Sequence, residues 1–191
     1  MNILYLHGFR SSPRSTKARL MAAHFAQTEH RVVCPQLPAS PALAMELVCE
    51  LIEDRGDAAK DWALIGSSLG GFYATFLAEQ YGCRTALLNP AVHPDSDLGA
   101  HIGEGFAYDG ETPFEFKAAY LDQLVALKVA AITKPARYLL LAATGDEVLD
   151  WKQMRNQYPG AKQQIIEGSD HAISEFADYV DEVASFCTSK S

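Results

Sequence analysis

Short apolar runs alternate along this chain with longer segments in which apolar residues recur at helical spacing. The runs have the length of buried strands, and the longer segments have the periodicity of amphipathic helices. This alternation predicts a mostly parallel sheet with helices on both faces. The predicted strands are residues 1–7, 31–34, 62–66, 84–88, 136–143 and 161–167. The predicted helices are residues 15–27, 41–54, 72–81 and 172–186, with a short helix between the last two strands.

One long segment interrupts the alternation. Residues 90–133 carry no strand pattern, and a stretch of that length inside a compact domain is usually functional or disordered. We interpret it as a small cap with one helix at about residues 112–129 and a glycine-rich loop before that helix. An ordinary surface insertion is the alternative. Apolar residues available for the underside of a cap are Leu98, Ile102, Phe106, Tyr108, Phe114 and Phe116.

A serine stands at the apex of a strand, turn and helix. The sequence Gly66-Ser67-Ser68-Leu69-Gly70 follows the third apolar run and precedes a helix-like segment. A G-x-S-x-G in this context is the signature of a nucleophile elbow. The turn at the central serine is strained, and glycines two residues to either side leave room for the neighbouring backbone. We therefore predict that Ser68 is a catalytic nucleophile.

A carboxylate and a histidine follow this serine in the chain order that such a site requires. Asp146 comes directly after the fifth strand, and His171 comes shortly after the sixth. Because the carboxyl ends of parallel strands meet at one edge of a sheet, we expect both side chains beside Ser68. His171 would accept the serine proton and Asp146 would orient the imidazole. Asp150 and Glu147 are alternative acids, Asp146 could be an ordinary turn residue, and His171 could instead cap the last helix.

The loop after the first strand is expected to complete the site. His7, Gly8 and Phe9 end that strand, and hydrolases with a nucleophile elbow take one oxyanion donor from such a loop. We assign the backbone N–H groups of Phe9 and Leu69 as the two donors. Gly8 would let the backbone approach the substrate closely. We interpret His7 as a structural histidine at the strand end.

Charge constrains the substrate in two opposite ways. Basic residues cluster just after the oxyanion loop, and among them Arg10 and Arg14 are candidate contacts for a substrate phosphate or carboxylate. A solvated basic face is the alternative. Residues 95–115 contain six acidic residues and no Lys or Arg, which disfavours a strongly anionic substrate near the cap.

Composition narrows the class of protein further. The 191 residues fit a single domain, residues 1–191, and an apolar fraction of 48% is typical of a globular chain. The net charge of −8 argues against nucleic-acid binding, and no apolar run approaches the roughly 20 residues of a membrane span. The start of the chain lacks a signal-like pattern, so we expect a cytoplasmic protein. The cysteines and histidines show no metal-ligand spacing, so we expect no metal and no cofactor.

Several blocks of the chain together resemble one known family. They are YLHGFRSSPRSTKA from Tyr5, GSSLGGFYAT from Gly66, LNPAV from Leu88 and TGDEVLD from Thr144. These blocks are similar to those of the YqiA-type esterases, which are small bacterial α/β hydrolases, and the resemblance extends to His171. It implies a minimal six-stranded α/β-hydrolase fold with strand order 2-1-3-4-5-6. It also implies a serine esterase whose triad is Ser68, Asp146 and His171.

We therefore expect hydrolysis of carboxylic esters of short to medium acyl chains through an acyl-enzyme on Ser68. An acyl-CoA thioesterase with the same mechanism is the first alternative, and the basic cluster motivates it. A non-catalytic protein that binds an acyl ligand on the same fold is the second alternative. The expected partner is a small-molecule ester or thioester, and the sequence gives no indication of the oligomeric state or the natural substrate.

Overall fold

A computed structural model describes residues 1–54 and 61–189 of the chain. In these residues the strands are β1 (Asn2–Leu6), β2 (Arg31–Val33), β3 (Trp62–Ser67), β4 (Arg84–Leu88), β5 (Gly103–Phe106), β6 (Pro113–Phe116), β7 (Tyr138–Ala143) and β8 (Lys162–Ile166). Six of them form one sheet in the order β2-β1-β3-β4-β7-β8, and every neighbouring pair in it is parallel. This confirms the predicted strand order.

Burial explains why the strands appear in the sequence as continuous apolar runs. All residues of β3 and β7 are buried, as expected for parallel strands that are covered on both faces. Successive side chains point to opposite faces, so Leu64 packs in the core on one face and Ile65 packs in the core on the other. The edge strand β8 is only partly buried.

Helices cover both faces of the sheet. In the described residues they are α1 (Thr16–Phe25), α2 (Pro41–Glu53), α3 (Leu69–Tyr81), α4 (Pro94–Asp97), α5 (Ala119–Ala126), α6 (Trp151–Gln157) and α7 (Val180–Thr188). Buried residues of α1 and α7 share one core, and buried residues of α2, α3 and α6 share the core on the opposite face. Gly82, with a φ of 80°, ends α3 in the left-handed conformation that glycine adopts readily.

The prediction of a continuous last helix at residues 172–186 was wrong. The chain after His171 forms turns, then a 3₁₀ helix at Phe176–Tyr179, and only then α7. Ile173 has a φ of 49°, which a helix does not allow. The Asp170 carboxylate accepts hydrogen bonds from the N–H and the hydroxyl of Ser174 and so stabilises the turn.

The prediction that residues 90–133 carry no strand was also wrong, and of the helix predicted at 112–129 only Ala119–Ala126 is helical. β5 and β6 form an antiparallel hairpin in which Gly103 pairs with Phe116, and α5 is shorter than the predicted helix. Asp109 closes the hairpin by accepting the N–H groups of Glu111 and Thr112. An Asp-Gly pair between aromatic residues is a strong hairpin signal, and the chain carries it at 109–110.

Candidate active site

The turn between β3 and α3 holds Ser68 in a backbone conformation that L-residues rarely adopt. Its φ is 54° and its ψ is −122°. The Ser68 N–H donates to the Leu88 carbonyl at 3.0 Å, and the Ser68 carbonyl accepts from Gly71 at 2.8 Å and from Ala91 at 3.0 Å. Strain of this kind persists only where the surroundings determine the backbone from several sides. These three hydrogen bonds provide that support.

Glycines around Ser68 allow three backbone segments to approach one another. A Cβ on Gly66 would overlap the Gly70 carbonyl, and a Cβ on Gly70 would overlap the Leu6 carbonyl. Gly71, which has no predicted role, is equally restricted, since its Cβ would lie 2.6 Å from Cβ of Pro90. The spacing of these glycines is therefore set by contacts between β1, the elbow and the chain after β4.

The structure brings together the serine, the histidine and the preferred carboxylate. The Ser68 hydroxyl lies 3.1 Å from Nε2 of His171, and Nδ1 of His171 lies 2.8 Å from Oδ2 of Asp146. The Asp146 side chain is fully buried, and its Oδ1 accepts the N–H groups of Val148 and Leu149, both at 2.8 Å. This pattern leaves Nδ1 as the protonated nitrogen and Nε2 free to accept a proton.

The alternative acids have different partners. Asp150 caps α6 by accepting the N–H of Lys152 at 2.8 Å. The Glu147 carboxylate accepts the backbone N–H of His171 at 3.0 Å and therefore supports the histidine loop without touching the imidazole nitrogens. The geometry thus favours Asp146 as the carboxylate that orients the imidazole.

The two proposed oxyanion donors lie at the same cavity as Ser68. Phe9 and Leu69 line this cavity, and within residues 1–54 and 61–189 neither backbone N–H has a hydrogen-bond partner. Leu69 is the first residue of α3, where helix N–H groups lack partners inside the helix. Gly8 packs against Ser68, because a Cβ on Gly8 would lie 3.1 Å from Cβ of Ser68.

His7 has the contacts of a structural residue. It is 4% exposed, and its Nε2 accepts the backbone N–H of Leu37 at 3.0 Å. Its Nδ1 lies 3.0 Å from the carbonyl of Gly8. Burial lowers the pKa of His7, so the imidazole is neutral and ties the loops after β1 and β2 together.

The side chains of Arg10 and Arg14 lie on the β5–β6 hairpin. Arg10 donates from Nε to the carbonyl of Phe106, and its guanidinium carbon lies 5.8 Å from the centre of the Tyr108 ring. Arg14 pairs with Asp109 at 3.4 Å. Neither arginine is among the described residues that line the cavity at Ser68. Both side chains therefore lie against the hairpin and outside the cavity at Ser68, and the substrate contacts expected from the sequence stay a prediction.

The cavity at Ser68 has a volume of about 380 Å³. Its walls are largely apolar and include Leu69, Ala91, Leu98, Val148 and Leu149. Polar side chains at this cavity include Lys17, Asp97, His101, Tyr108 and His171, beside several serine and threonine hydroxyls, and burial raises the pKa of the Asp97 carboxyl. A concave, mostly apolar site with a few convergent polar groups is typical of small-molecule binding. Here we call it the catalytic cavity.

The chain matches the sequence model of the Uncharacterised protein family UPF0227 over residues 2–188. The chain belongs to this family, the YqiA-type family. The match confirms the family that was inferred from the blocks around Tyr5, Gly66, Leu88 and Thr144.

Solved structures similar to this UPF0227 chain share its fold at low sequence identity. Est1E from Butyrivibrio proteoclasticus is 16% identical with a TM-score of 0.75, over 97% of this chain and 86% of that chain. The esterase domain of a Rhodothermus marinus protein is 19% identical with a TM-score of 0.71, over 96% of this chain and 84% of that chain. Mouse alpha/beta hydrolase domain-containing protein 10 is 15% identical with a TM-score of 0.69, over 96% of this chain and 89% of that chain. The UPF0227 chain therefore has the α/β-hydrolase fold.

Asn89 connects the two segments that carry Asp146 and His171 in this UPF0227 chain. It is fully buried at the end of β4 and has a φ of 42°. Its Oδ1 accepts the N–H of Ala143 at 2.8 Å, and its Nδ2 donates to the carbonyls of Asp170 and His171, both at 3.1 Å. No role was predicted for Asn89, although a polar residue directly after a buried strand at this sheet edge is a usable signal.

Lys17 supports the histidine loop from α1. Its Nζ donates to the carbonyl of Ala172 at 2.7 Å and lies 3.5 Å from the carbonyl of His171. Burial lowers the pKa of Lys17 to about 8, although the negative charges of Asp170 and Asp146 act in the opposite direction. The basic cluster seen in the sequence therefore contains one residue that reaches the candidate site.

The described residues hold neither a metal-binding cluster nor a membrane-spanning helix. No cluster of three or more His, Cys, Asp or Glu side chains there could hold a metal ion. No helix in that part of the chain is long and apolar enough to cross a membrane.

Proposed function

We propose that this protein is a serine hydrolase that cleaves carboxylic esters of short to medium acyl chains. The observation that carries the proposal is the continuous hydrogen-bonded series from Ser68 through His171 to the buried Asp146, at 3.1 and 2.8 Å. The strained backbone of Ser68 and the two unpaired N–H groups beside it support the same reaction. One structure with the same fold, from a Rhodothermus marinus protein, is named as an esterase domain.

The reaction follows from these groups in two halves. Ser68 Oγ attacks the ester carbonyl carbon while Nε2 of His171 takes the hydroxyl proton. The N–H groups of Phe9 and Leu69 stabilise the oxyanion, and His171 then protonates the departing alkoxide. Water, deprotonated by His171, attacks the acyl-enzyme and releases the carboxylic acid and free Ser68. Asp146 stays ionised and stabilises the imidazolium in both halves.

Covalent labelling with a fluorophosphonate probe tests the nucleophile. We expect Ser68→Ala to abolish labelling and to lower turnover of p-nitrophenyl butyrate by more than about a thousandfold. Ser67→Ala is the matched control in the same elbow, because the Ser67 hydroxyl bonds to Tyr5. It should keep the labelling. Wild-type-like turnover by Ser68→Ala would exclude the proposal.

A second pair of variants tests the acid. Asp146→Asn should lower kcat by at least about a hundredfold, because the amide disturbs the imidazole tautomer that accepts the serine proton. Asp150→Asn should retain most activity, because Asp150 serves as the cap of α6. Equal losses in the two variants would contradict the assignment of Asp146.

The same groups would cleave an acyl-CoA thioester. The sequence-based reason for considering that substrate was the basic cluster, and both Arg10 and Arg14 bind the hairpin. The ester is therefore the preferred substrate class. The ratio of kcat/KM for p-nitrophenyl butyrate to that for butyryl-CoA distinguishes the two, and a folded protein that binds either compound but never labels would support a binding protein instead.

A further inference from the structure

A second cavity lies on the other side of the oxyanion loop. It has a volume of about 310 Å³ and is formed by the loop after β1, the loop after β2, α3 and the β5–β6 hairpin. Apolar side chains form much of its wall, including Leu37, Pro38, Ala39, Leu69 and Phe114. Its two charged lining residues have other partners, since Arg10 bonds to Phe106 and Glu115 pairs with Lys117 at 3.3 Å. These features suit an uncharged group.

The second cavity begins directly beside the nucleophile. Gly8, Phe9 and Leu69 line both cavities. A Cβ on Gly8 would lie 3.6 Å from Oγ of Ser68, so the shared wall lies beside the reacting atom. Ser68 and His171 line the catalytic cavity, and neither is among the described residues that line the second one.

This arrangement distinguishes the two sides of an ester. The leaving oxygen must face His171, because the imidazolium protonates it. The carbonyl oxygen must face the N–H groups of Phe9 and Leu69. The acyl substituent takes the remaining direction on the carbonyl carbon, away from His171, and the second cavity borders the same Phe9 and Leu69 that would hold the carbonyl oxygen.

Tyr73 contributes an unpaired polar group to the second cavity. The residue is 2% exposed, and burial raises the pKa of its phenol, so the hydroxyl stays protonated. In the described part of the chain this hydroxyl has no hydrogen-bond partner, although the Tyr73 side chain lines the cavity. The hydroxyl is not among the polar atoms of the described residues that are enclosed without a partner, so it is accessible and free to bond a ligand oxygen in the second cavity.

We propose that the second cavity binds the acyl group of the substrate and that Tyr73 selects acyl chains that carry an uncharged oxygen. This inference rests on the proposed ester hydrolysis. Tyr73 is a specificity-determining residue in this scheme, because its hydroxyl donates to a keto or hydroxyl oxygen on the chain. The alcohol portion of the ester occupies the catalytic cavity beside His171.

Matched p-nitrophenyl esters test the role of Tyr73. The 4-oxopentanoate, 5-oxohexanoate and 6-oxoheptanoate are each compared with the ester in which a methyl branch replaces the keto oxygen. In wild type, kcat/KM should favour the oxo ester at one chain length or more, and Tyr73→Phe should lower that preference about fivefold, as expected for one hydrogen bond. An unchanged preference at all three lengths would overturn the role of Tyr73.

Filling each cavity separately tests the acyl site. Ala39→Trp should raise the preference for p-nitrophenyl acetate over the hexanoate by about tenfold, because the indole occupies the second cavity. Val148→Trp is the matched control, since Val148 lines the catalytic cavity, does not line the second cavity and is 61% exposed. It should shift the preference between methyl and hexyl butanoate. If Ala39→Trp shifts the alcohol series and leaves the acyl series unchanged, the cavity assignment is wrong.

Labelling separates failure of this inference from failure of the proposed function. Diisopropyl fluorophosphate carries no acyl chain, so it should label Ser68 in wild type, Tyr73→Phe and Ala39→Trp. Labelling of all three with no change in acyl selectivity refutes the acyl site alone. A folded wild type that neither labels nor hydrolyses any ester refutes the proposed function itself.

Discussion

The strained backbone at Ser68 predicts an unusual order of stability between two inactive variants. Ser68→Ala and Ser68→Gly both remove the hydroxyl that bonds to His171. Alanine must keep the φ of 54° and the ψ of −122°, since three backbone hydrogen bonds hold that turn. Glycine adopts such angles without steric penalty. We therefore expect the glycine variant to be the more stable of the two.

The size of the difference follows from two opposing effects. A non-glycine residue in such a conformation costs about 1–3 kcal/mol. Glycine gives the unfolded chain more conformational freedom, which favours unfolding by roughly 0.4–1 kcal/mol relative to alanine. The net expectation is that Ser68→Gly exceeds Ser68→Ala by about 1 kcal/mol in free energy of unfolding. For a chain of this size that corresponds to a Tm difference of roughly 2–4 °C.

Thermal and urea unfolding, followed by circular dichroism, measure this difference. The control is the same pair of substitutions at Ser185, an exposed position inside α7. There Gly should be less stable than Ala by about 1 kcal/mol, because no positive φ compensates for its flexibility. If Ser68→Ala equals or exceeds Ser68→Gly while the Ser185 pair behaves as expected, the strain argument is refuted.

Three further predictions concern the supports of the site. Asn89→Ala removes three side-chain hydrogen bonds, one buried and two partly buried. It should therefore lower the free energy of unfolding by about 2–4 kcal/mol and kcat by about a hundredfold. Urea unfolding and ester turnover measure these two effects, and a loss of stability with unchanged kcat would exclude a positioning role. Arg10→Ala should speed hydrogen exchange in residues 103–116 and lower kcat, because it removes the bond from Arg10 to the hairpin. Arg14→Ala should change neither, because the Arg14 side chain is 79% exposed. Equal effects of the two substitutions would contradict the hairpin contact of Arg10. Because burial lowers the pKa of Lys17 from 10.5 to about 8, the folded protein binds fewer protons than the unfolded chain between these values. Stability should therefore rise with pH across that window relative to Lys17→Met, and parallel pH profiles of the two proteins would refute this.

The β5–β6 hairpin illustrates which part of the fold the pattern of apolar runs did not reveal. Its strands are only four residues each and largely exposed, so they lack the apolar runs that identify β3 and β7. The hairpin is held by contacts with the loop after β1, where the Tyr108 N–H donates to the Arg10 carbonyl at 2.9 Å. Those partners are far apart in sequence, and no local period reveals them.

The last helix illustrates a second limit. Residues 172–186 have helical periodicity, but Ile173 adopts a positive φ. The carbonyls of His171 and Ala172 are used by Asn89 and Lys17 instead of by helical N–H groups. Tertiary hydrogen bonds therefore override the local preference of this segment and keep the histidine loop at the sheet edge.

Local sequence was sufficient for the sheet, the elbow and the chain order of serine, acid and histidine. Strands buried on both faces require continuous apolar runs, and the strained turn at Ser68 requires its glycines. The parallel sheet brings the carboxyl ends of its strands to one edge. The supports and the cavities depend instead on side chains that meet across the fold. Asn89 bonds to Ala143 and His171, and Arg10 bonds to the hairpin. Tyr73 lines a cavity that the loop after β1, the loop after β2, α3 and the β5–β6 hairpin form together. The side-chain partners of Asn89 lie 54 or more residues away in the sequence, and that of Arg10 lies 96 residues away. Only the tertiary structure therefore determines these contacts.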